Sequence, residues 1–369
     1  MKRNKNVDIL RAAAILIIIV YHAYALTGYP WANHMRLNRL LSFGGEVGVT
    51  LFFVLSGYGI AMSLNYKSQQ GNLPSWGAFM KKRCLRIMPQ YYFCIVFLLL
   101  FQSQAWISGQ GLKHILAYGL FGQNLTATTH GSINGALWAM ATIFQFYLIA
   151  LPLFRLVKKN YLAAGLGAIL VTIASKYVIY HLILAPAGAD GTAYFVYGRQ
   201  LISALDNFVL GMVAAILSQK LLEGRKERKK GRGWLGLVEV LILLAAIVVT
   251  AYWYNGHGLY VDALRGYVGH SLLALLMTGL VVAAAISPEA PGFLTRPGSF
   301  LAKYQYGMYL WHMPLIVSLV NGSPAFQKLA AQSFLAFAVS IIVIAGLVGV
   351  FLTKCIDGYV SGRAARKMQ

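Results

Sequence analysis

Ten runs of roughly twenty mostly apolar residues divide this chain, each long enough to cross the hydrocarbon core of a bilayer as an α-helix. They fall at about 8–27, 43–64, 87–107, 135–154, 161–182, 200–219, 235–254, 267–286, 303–320 and 332–353. The runs are continuous rather than alternating, so a β-barrel is excluded and an all-α integral membrane protein is expected. Composition agrees: 58% of the 369 residues are hydrophobic and 11% charged, against about 25% charged in a soluble domain. Soluble enzymes and disordered chains are therefore set aside. The expectation is one transmembrane domain over 1–369, ending in a short basic tail.

The net charge of +22 would suggest nucleic acid in a soluble protein. Here the basic residues lie between apolar runs, where they set orientation in a membrane, and no nucleic-acid partner is expected. With the N-terminus inside, 25 Lys and Arg fall in inside segments and six outside, with Lys176 within a span. Ten spans, both termini cytoplasmic and a place in the cytoplasmic (inner) membrane follow. The basic start, the apolar run and Ala23-Tyr24-Ala25 imitate a cleaved signal peptide. Asp8 and Arg11 interrupt that pattern, so the run is expected to stay as the first span.

The three cysteines, Cys84, Cys94 and Cys355, show no metal-site spacing and are read as small buried hydrophobes; no metal is expected. The segment 108–134, rich in Gly, Asn and Thr, is the longest outer loop, either functional or a plain connector. The 220–232 charge run reads as a solvated topology signal. Gly44 to Gly48 is a small-xxx-small pattern of the kind that packs helices within one chain, and a homo-oligomer stays open.

Several residues can carry chemistry. Arg11 and His22 are eleven residues apart, close to three helical turns, so they share a face about 16 Å apart along the axis. An ionisable residue at the depth of His22 is a functional candidate, with a neutral His bonded to a neighbouring helix as the alternative. Lys81, Lys82, Arg83 and Arg86 precede the third span. They are either an ordinary basic flank or, through Arg83 and Arg86 on one face, a clamp for phosphates. Ser56-Gly57 reads as close helix packing, and no Gly-x-Ser-x-Gly elbow is present. His312 stands mid-span beside Pro314, which frees backbone groups for bonding. His257 and Asp262 have H-x4-D spacing but fall in an outer loop and are read as coincidence. Tyr29, Trp31, Trp106 and Tyr194 are outer aromatics able to stack on sugar rings, or plain interface residues.

Together these segments resemble the acyltransferase 3 family of ten-span membrane acyltransferases, over about 7–354. The carriers are Val7-Asp8-Ile9-Leu10-Arg11 with His22, Gly48 to Tyr58, and Arg83-x-x-Arg86 with Ile87-x-Pro89-x-Tyr91. Trp138 to Pro152, with Gln145 and Tyr147, and Tyr309-Leu310-Trp311-His312-x-Pro314 complete the set. The resemblance implies transfer of an acyl group, commonly acetyl, from cytoplasmic acyl-CoA to hydroxyls of extracytoplasmic glycans or glycolipids. It also implies that His22 is catalytic with Arg11 as its partner, and that Arg83 and Arg86 form the family's paired arginines. Many members carry a Glu five residues after Trp138; here that position is Ile143, as in the branch associated with capsule and adhesion polysaccharides. No stretch resembles the hydrolase-like domain that some members append.

On this reading Arg11, Arg83 and Arg86, with Lys82 beside them, hold the phosphates of acyl-CoA, with acetyl-CoA the expected donor, while its thioester reaches His22. His22 acts as general base on the acceptor hydroxyl or forms a transient acyl-His. Asp8 is placed to hold Arg11. Glu46 orients His22 or the acceptor, or is an interface acid without a role, and Gln145, Tyr147 and His312 are supporting candidates. The rival readings are a polysaccharide or lipid-linked-sugar exporter, which would not consume acyl-CoA, and a sensor that keeps the scaffold without chemistry.

Overall fold

The structure, a computed structural model, describes residues 3–28, 30, 35–102, 111–188, 191–226, 241–250, 253 and 263–366. Among these residues all regular structure is helical. The helices are α1 (Lys5–Leu26), α2 (Met35–Gln69), α3 (Trp76–Phe101), α4 (Leu112–Gly119), α5 (Trp138–Lys159), α6 (Tyr161–Tyr177) and α7 (Gly191–Tyr197). They continue as α8 (Leu205–Lys226), α9 (Leu241–Thr250), α10 (Ala263–Ile286), α11 (Gly292–Gly322), α12 (Pro324–Gln332) and α13 (Phe334–Arg366).

Eight described helices are long and apolar enough to cross a membrane, and the chain is a multi-pass membrane protein. Two of the ten expected spans fall outside that set. The run at 235–254 is described only through α9. The run at 303–320 lies inside α11, which is long but carries Lys303, Gln305, Tyr304, Tyr306, Tyr309 and His312. That polarity is tolerated because much of the 302–316 stretch is buried against α1, α3 and α13, with Lys303 left exposed.

Helix limits differ from the apolar runs in one consequential place. The third span was expected to start at 87, but α3 begins at Trp76, where Ser75 caps it by accepting from the Ala78 N–H at 3.3 Å. Arg83 and Arg86 are therefore inside the helix, with Pro89 tolerated six residues beyond the first of them at mid-helix. Apolarity measures the lipid slab, whereas helical hydrogen bonding continues past it. Elsewhere, α6 widens into a π-helical turn over Val178–Leu184, and Asn4 caps α1.

Small residues set how closely the helices cross. A methyl on Gly57 of α2 would overlap the carbonyl of Phe208 on α8, and one on Gly211 would overlap that of Val54. Gly45 and Gly48 receive Tyr21 and Ile18 of α1, so the glycine pattern of α2 packs helices within this chain. Gly307 of α11 and Gly349 of α13 meet in the same manner.

The segment between α4 and α5 is no surface connector. Gln123, Asn124, Thr129 and Asn134 are buried, and side chains satisfy much of its irregular backbone. Tyr91 and Tyr92 of α3 donate to the carbonyls of Tyr118 and Gly119 at 3.0 and 2.8 Å. Gln123 donates to Leu137 O at 2.8 Å. Irregular backbone buried within protein persists only where side chains satisfy it in this way.

The cysteines are free. Cys94 is buried, as expected; Cys84 is half-buried and Cys355 exposed, which corrects the expectation of three core residues. On α13 an exposed apolar side chain needs no core, because lipid receives it.

Candidate active site

Arg11 projects from the first half of α1 and is oriented by Asp8, one turn earlier. Its Nη1 donates to Asp8 Oδ1 at 2.8 Å. Asp8 is fully buried and also takes Arg3 Nε at 2.5 Å and Ser299 Oγ at 3.2 Å on its other oxygen. A buried carboxylate needs this degree of partnering, and the outcome is a guanidinium fixed beside Gly59 of α2, where a side chain would crowd it.

Arg11 lines a cavity of about 430 Å³ together with Arg3, Arg83, Arg86 and Lys303. No carboxylate is among its lining residues. Arg83 stacks its guanidinium over Phe79 at 5.0 Å and Tyr147 at 5.6 Å. Its Nε is buried with no hydrogen-bond partner, and so is Gln305 Oε1. The unsatisfied Arg83 Nε–H in a cationic cavity suits an anion with several acceptor oxygens, whereas Gln305 Oε1 is free to accept a donor. Lys82 is exposed on α3 and is not among the residues that line this cavity. It lies about 100° round the helix from Arg83. Arg3 and Lys303 join the cluster instead. Ile143 lines the cavity, so this position faces the cationic group. Ser56 also lines it, its hydroxyl donating to Phe52 O at 2.8 Å.

His22 is not a lining residue of that cavity. Between them stand two rings: Phe52 lines the cavity and stacks on Tyr309 at 5.6 Å, and Tyr309 lies 5.5 Å from the His312 ring. His312 Nε2 is 3.0 Å from His22 Nδ1. The sequence placed His22 and His312 in one set of motifs; the fold puts them in contact across 290 positions.

Two supporting candidates bond to residues other than His22. Gln145 donates to Phe121 O at 3.0 Å and to Asn124 Oδ1 at 2.7 Å, so it pins the segment before α5. Glu46 does not touch His22; it ion-pairs with Arg199 and lies 2.9 Å from His270 Nε2. Arg199 is held over Phe195 at 3.8 Å and Trp138 at 5.2 Å, and its charge lies within electrostatic range of His22. Glu46, Arg199, His270 and Asn207, whose Oδ1 is buried and unpartnered, line a second, smaller depression at the opposite end from the cationic cavity. Sequence reading missed Arg199 and His270, and its one pointer was Glu46, an acid inside an apolar run. Tyr194 is buried against Tyr180 rather than offered to a ligand. Tyr29, Trp31, Trp106, His257 and Asp262 lie outside the described residues.

A profile of the acyltransferase 3 family, described as an acyltransferase domain, matches residues 4–353. The chain belongs to the acyltransferase 3 family. It is similar to the "Putative peptidoglycan O-acetyltransferase YrhL" of Bacillus subtilis (strain 168), 26% identical over 340 residues, which is 85% of this chain and 48% of that protein. It is likewise 26% identical over 341 residues to the "O-acetyltransferase OatA" of Staphylococcus aureus (strain NCTC 8325 / PS 47), covering 85% of this chain and 50% of that one. The "Peptidoglycan O-acetyltransferase OatA" of Listeria monocytogenes is 25% identical over 341 residues, with 84% and 49% covered. The chain thus spans about half the length of the curated relatives it matches. No solved structure matches.

Proposed function

We propose that this chain transfers an acetyl group from cytoplasmic acetyl-CoA to a hydroxyl of an extracytoplasmic polysaccharide or glycolipid, from a cytoplasmic membrane with both termini inside. The observation that carries this reading is the cavity of about 430 Å³ lined by Arg3, Arg11, Arg83, Arg86 and Lys303, with His22 further along the helix that bears Arg11. The inside excess of Lys and Arg supports placing that end in the cytoplasm. The names of the relatives support an O-acetyl transfer to a cell-envelope glycan.

The phosphates of the donor bind the arginines, whose forked donors match them and never deprotonate. The extended pantetheine arm then runs toward His22 over about the 16 Å that separate it from Arg11 on the helix, passing Phe52 and Tyr309. His22 takes the proton of the acceptor hydroxyl as its oxygen attacks the thioester carbonyl; the C–S bond breaks and CoA leaves as the thiol. Glu46 and its partners Arg199, His270 and Asn207 form the acceptor side. Their charges sit where an intramembrane ion needs a reason to persist, and planar polar groups suit the paired hydroxyls of a sugar.

Acyl-labelled acetyl-CoA supplied to the cytoplasmic face of inverted vesicles tests this, with His22→Ala at equal expression as the control. Label retained on lumenal or membrane glycan in the wild type and absent in the mutant is the expected result. Neither label nor CoA release from folded wild type, with succinyl-CoA also inert, overturns it in favour of an exporter.

A further inference from the structure

The ring nitrogens of His22 and His312 face an asymmetric set of partners, and that asymmetry dictates where the protons are. His312 Nδ1 is 2.7 Å from the carbonyl of Tyr309. His22 Nδ1 is 3.0 Å from the carbonyl of Ile18. A carbonyl only accepts, so both Nδ1 atoms carry hydrogen. In a neutral imidazole the other nitrogen is then a lone-pair acceptor. His312 therefore turns the lone pair of Nε2 toward the Nδ1–H of His22, 3.0 Å away, and that hydrogen is shared between His312 Nε2 and Ile18 O. The remaining nitrogen of His22, Nε2, holds a lone pair and no proton.

We infer that His312 is a positioning residue that fixes His22 in the Nδ1–H tautomer, leaving Nε2 as the atom that accepts the proton of the attacking hydroxyl. The inference rests on the reading of His22 as general base. The step balances: the acceptor O–H bond breaks with its proton passing to His22 Nε2, while the oxygen forms a bond to the thioester carbon. The C–S bond then breaks, and the departing thiolate takes that same proton from Nε2. Between these events His22 is an imidazolium, and its Nδ1–H bond to His312 Nε2 becomes charge-assisted and stronger. His312 keeps its own proton on Nδ1 throughout.

The surroundings hold His312 to this task. Pro314 has no N–H to give the Leu310 carbonyl, which instead accepts from Asn134 Nδ2 at 3.2 Å and Cys94 Sγ at 3.6 Å. The Tyr309 hydroxyl donates to Ala136 O. This turn of α11 is thereby tied to α3 and to the buried segment before α5, and the His312 ring is completely buried. A carboxylate in the same place would stabilise the imidazolium more strongly, but it would also carry the desolvation cost of a charge in a fully buried position. A neutral acceptor sets the tautomer without that penalty.

The test pairs His312→Leu, which removes the acceptor, with His312→Gln, whose amide oxygen can replace Nε2. In donor-driven CoA release with acceptor present, the Leu variant is expected to lose about 10–100-fold in kcat, the usual cost of losing such an orienting group. KM for acetyl-CoA should stay within about twofold, since His312 lies outside the cationic cavity, and the Gln variant should recover most of the loss. Nitrogen-15 histidine spectra of wild-type protein, with the His22 signal assigned by its loss in His22→Ala, should show Nδ1 protonated and Nε2 bare. The opposite tautomer in the wild type overturns the inference even if the Leu variant does not fold. So does wild-type kcat in folded His312→Leu, or equal loss in both variants with the His22 signal unmoved. If His22→Ala itself turned over normally, the general-base reading would fail instead; an inert His22→Ala beside a fully active His312→Leu would remove the role of His312 alone.

Discussion

Replacing Arg83 by Gln is expected to raise KM for acetyl-CoA by about 10–150-fold while kcat changes by less than about threefold. The magnitude follows from the cavity. A unit charge pair 4 Å apart gains about 4 kcal/mol at an effective dielectric near 20, but hydration of the free phosphate offsets part of it. A hydrogen bond to a charged group nets about 1.5–3 kcal/mol, and each 1.4 kcal/mol is a tenfold change. Arg83 is suited to give that bond: Phe79 and Tyr147 hold its plane, and its buried Nε has no protein partner to lose. The substitution gives up the stacking on Phe79 and Tyr147, about 0.5–1 kcal/mol per contact, but breaks no hydrogen bond of the guanidinium Nε in the ligand-free protein. The gain in melting temperature that CoA confers on wild type should shrink in the variant, since binding stabilises by mass action. The assay is initial CoA release from acetyl-CoA in inverted vesicles, with KM and kcat separated and a thermal-shift series in CoA alongside. An unchanged KM in folded, inserted Arg83→Gln refutes the clamp and leaves Arg83 as a topology residue.

The remaining predictions address the cavity, the packing and the segment before α5. Ile143→Glu puts a carboxylate among Arg11, Arg83 and Arg86 and should raise donor KM about tenfold, roughly 1.4 kcal/mol, without raising kcat; a rise in kcat would show that this chain can use the acid. Gly57→Ala should lower the melting temperature in nanodiscs, because the methyl overlaps the Phe208 carbonyl and overpacking typically costs about 1–3 kcal/mol; an unchanged midpoint would mean the α2–α8 crossing yields freely. His130, in the segment before α5, has its pKa pushed down to about 4 by burial, against about 6.5 in an unfolded chain. The unfolded state then binds more protons between those values, so stability should be full above about pH 6.5 and fall as pH drops toward 4. His130→Phe should flatten that part of the melting profile, and an unaltered slope would assign the acid sensitivity elsewhere.

Much of this protein was written in its sequence in a form that physical chemistry can read directly. Continuous apolar runs demand lipid-facing helices, so the all-α membrane architecture follows from hydropathy. The eleven-residue step from Arg11 to His22 needs only helical geometry, because both lie on one helix. The pairing of Arg83 with Arg86 is legible on the same ground. Asp8 beside Arg11 is a one-turn neighbour and was visible too, although Arg3 and Ser299 as its further partners were not.

What the sequence left open are contacts between helices far apart along the chain. A one-dimensional pattern assigns Lys82 and Arg86 alike to a basic flank; only the packing of α3 decides that Arg86 lines the cavity and Lys82 does not. Gln145 looked like a site residue because it belongs to a motif, yet its bonds go to the buried segment that precedes α5. Glu46 acquired its partners from positions 153 and 224 residues away. The approach of His312 to His22 spans 290 residues, and no pattern within either helix announces it. Hydropathy and helical spacing act within one helix, so sequence determined the spans and the residues that share a face. Which faces meet is set by side-chain shape and by the satisfaction of buried polar groups between helices, and that the tertiary structure alone decided.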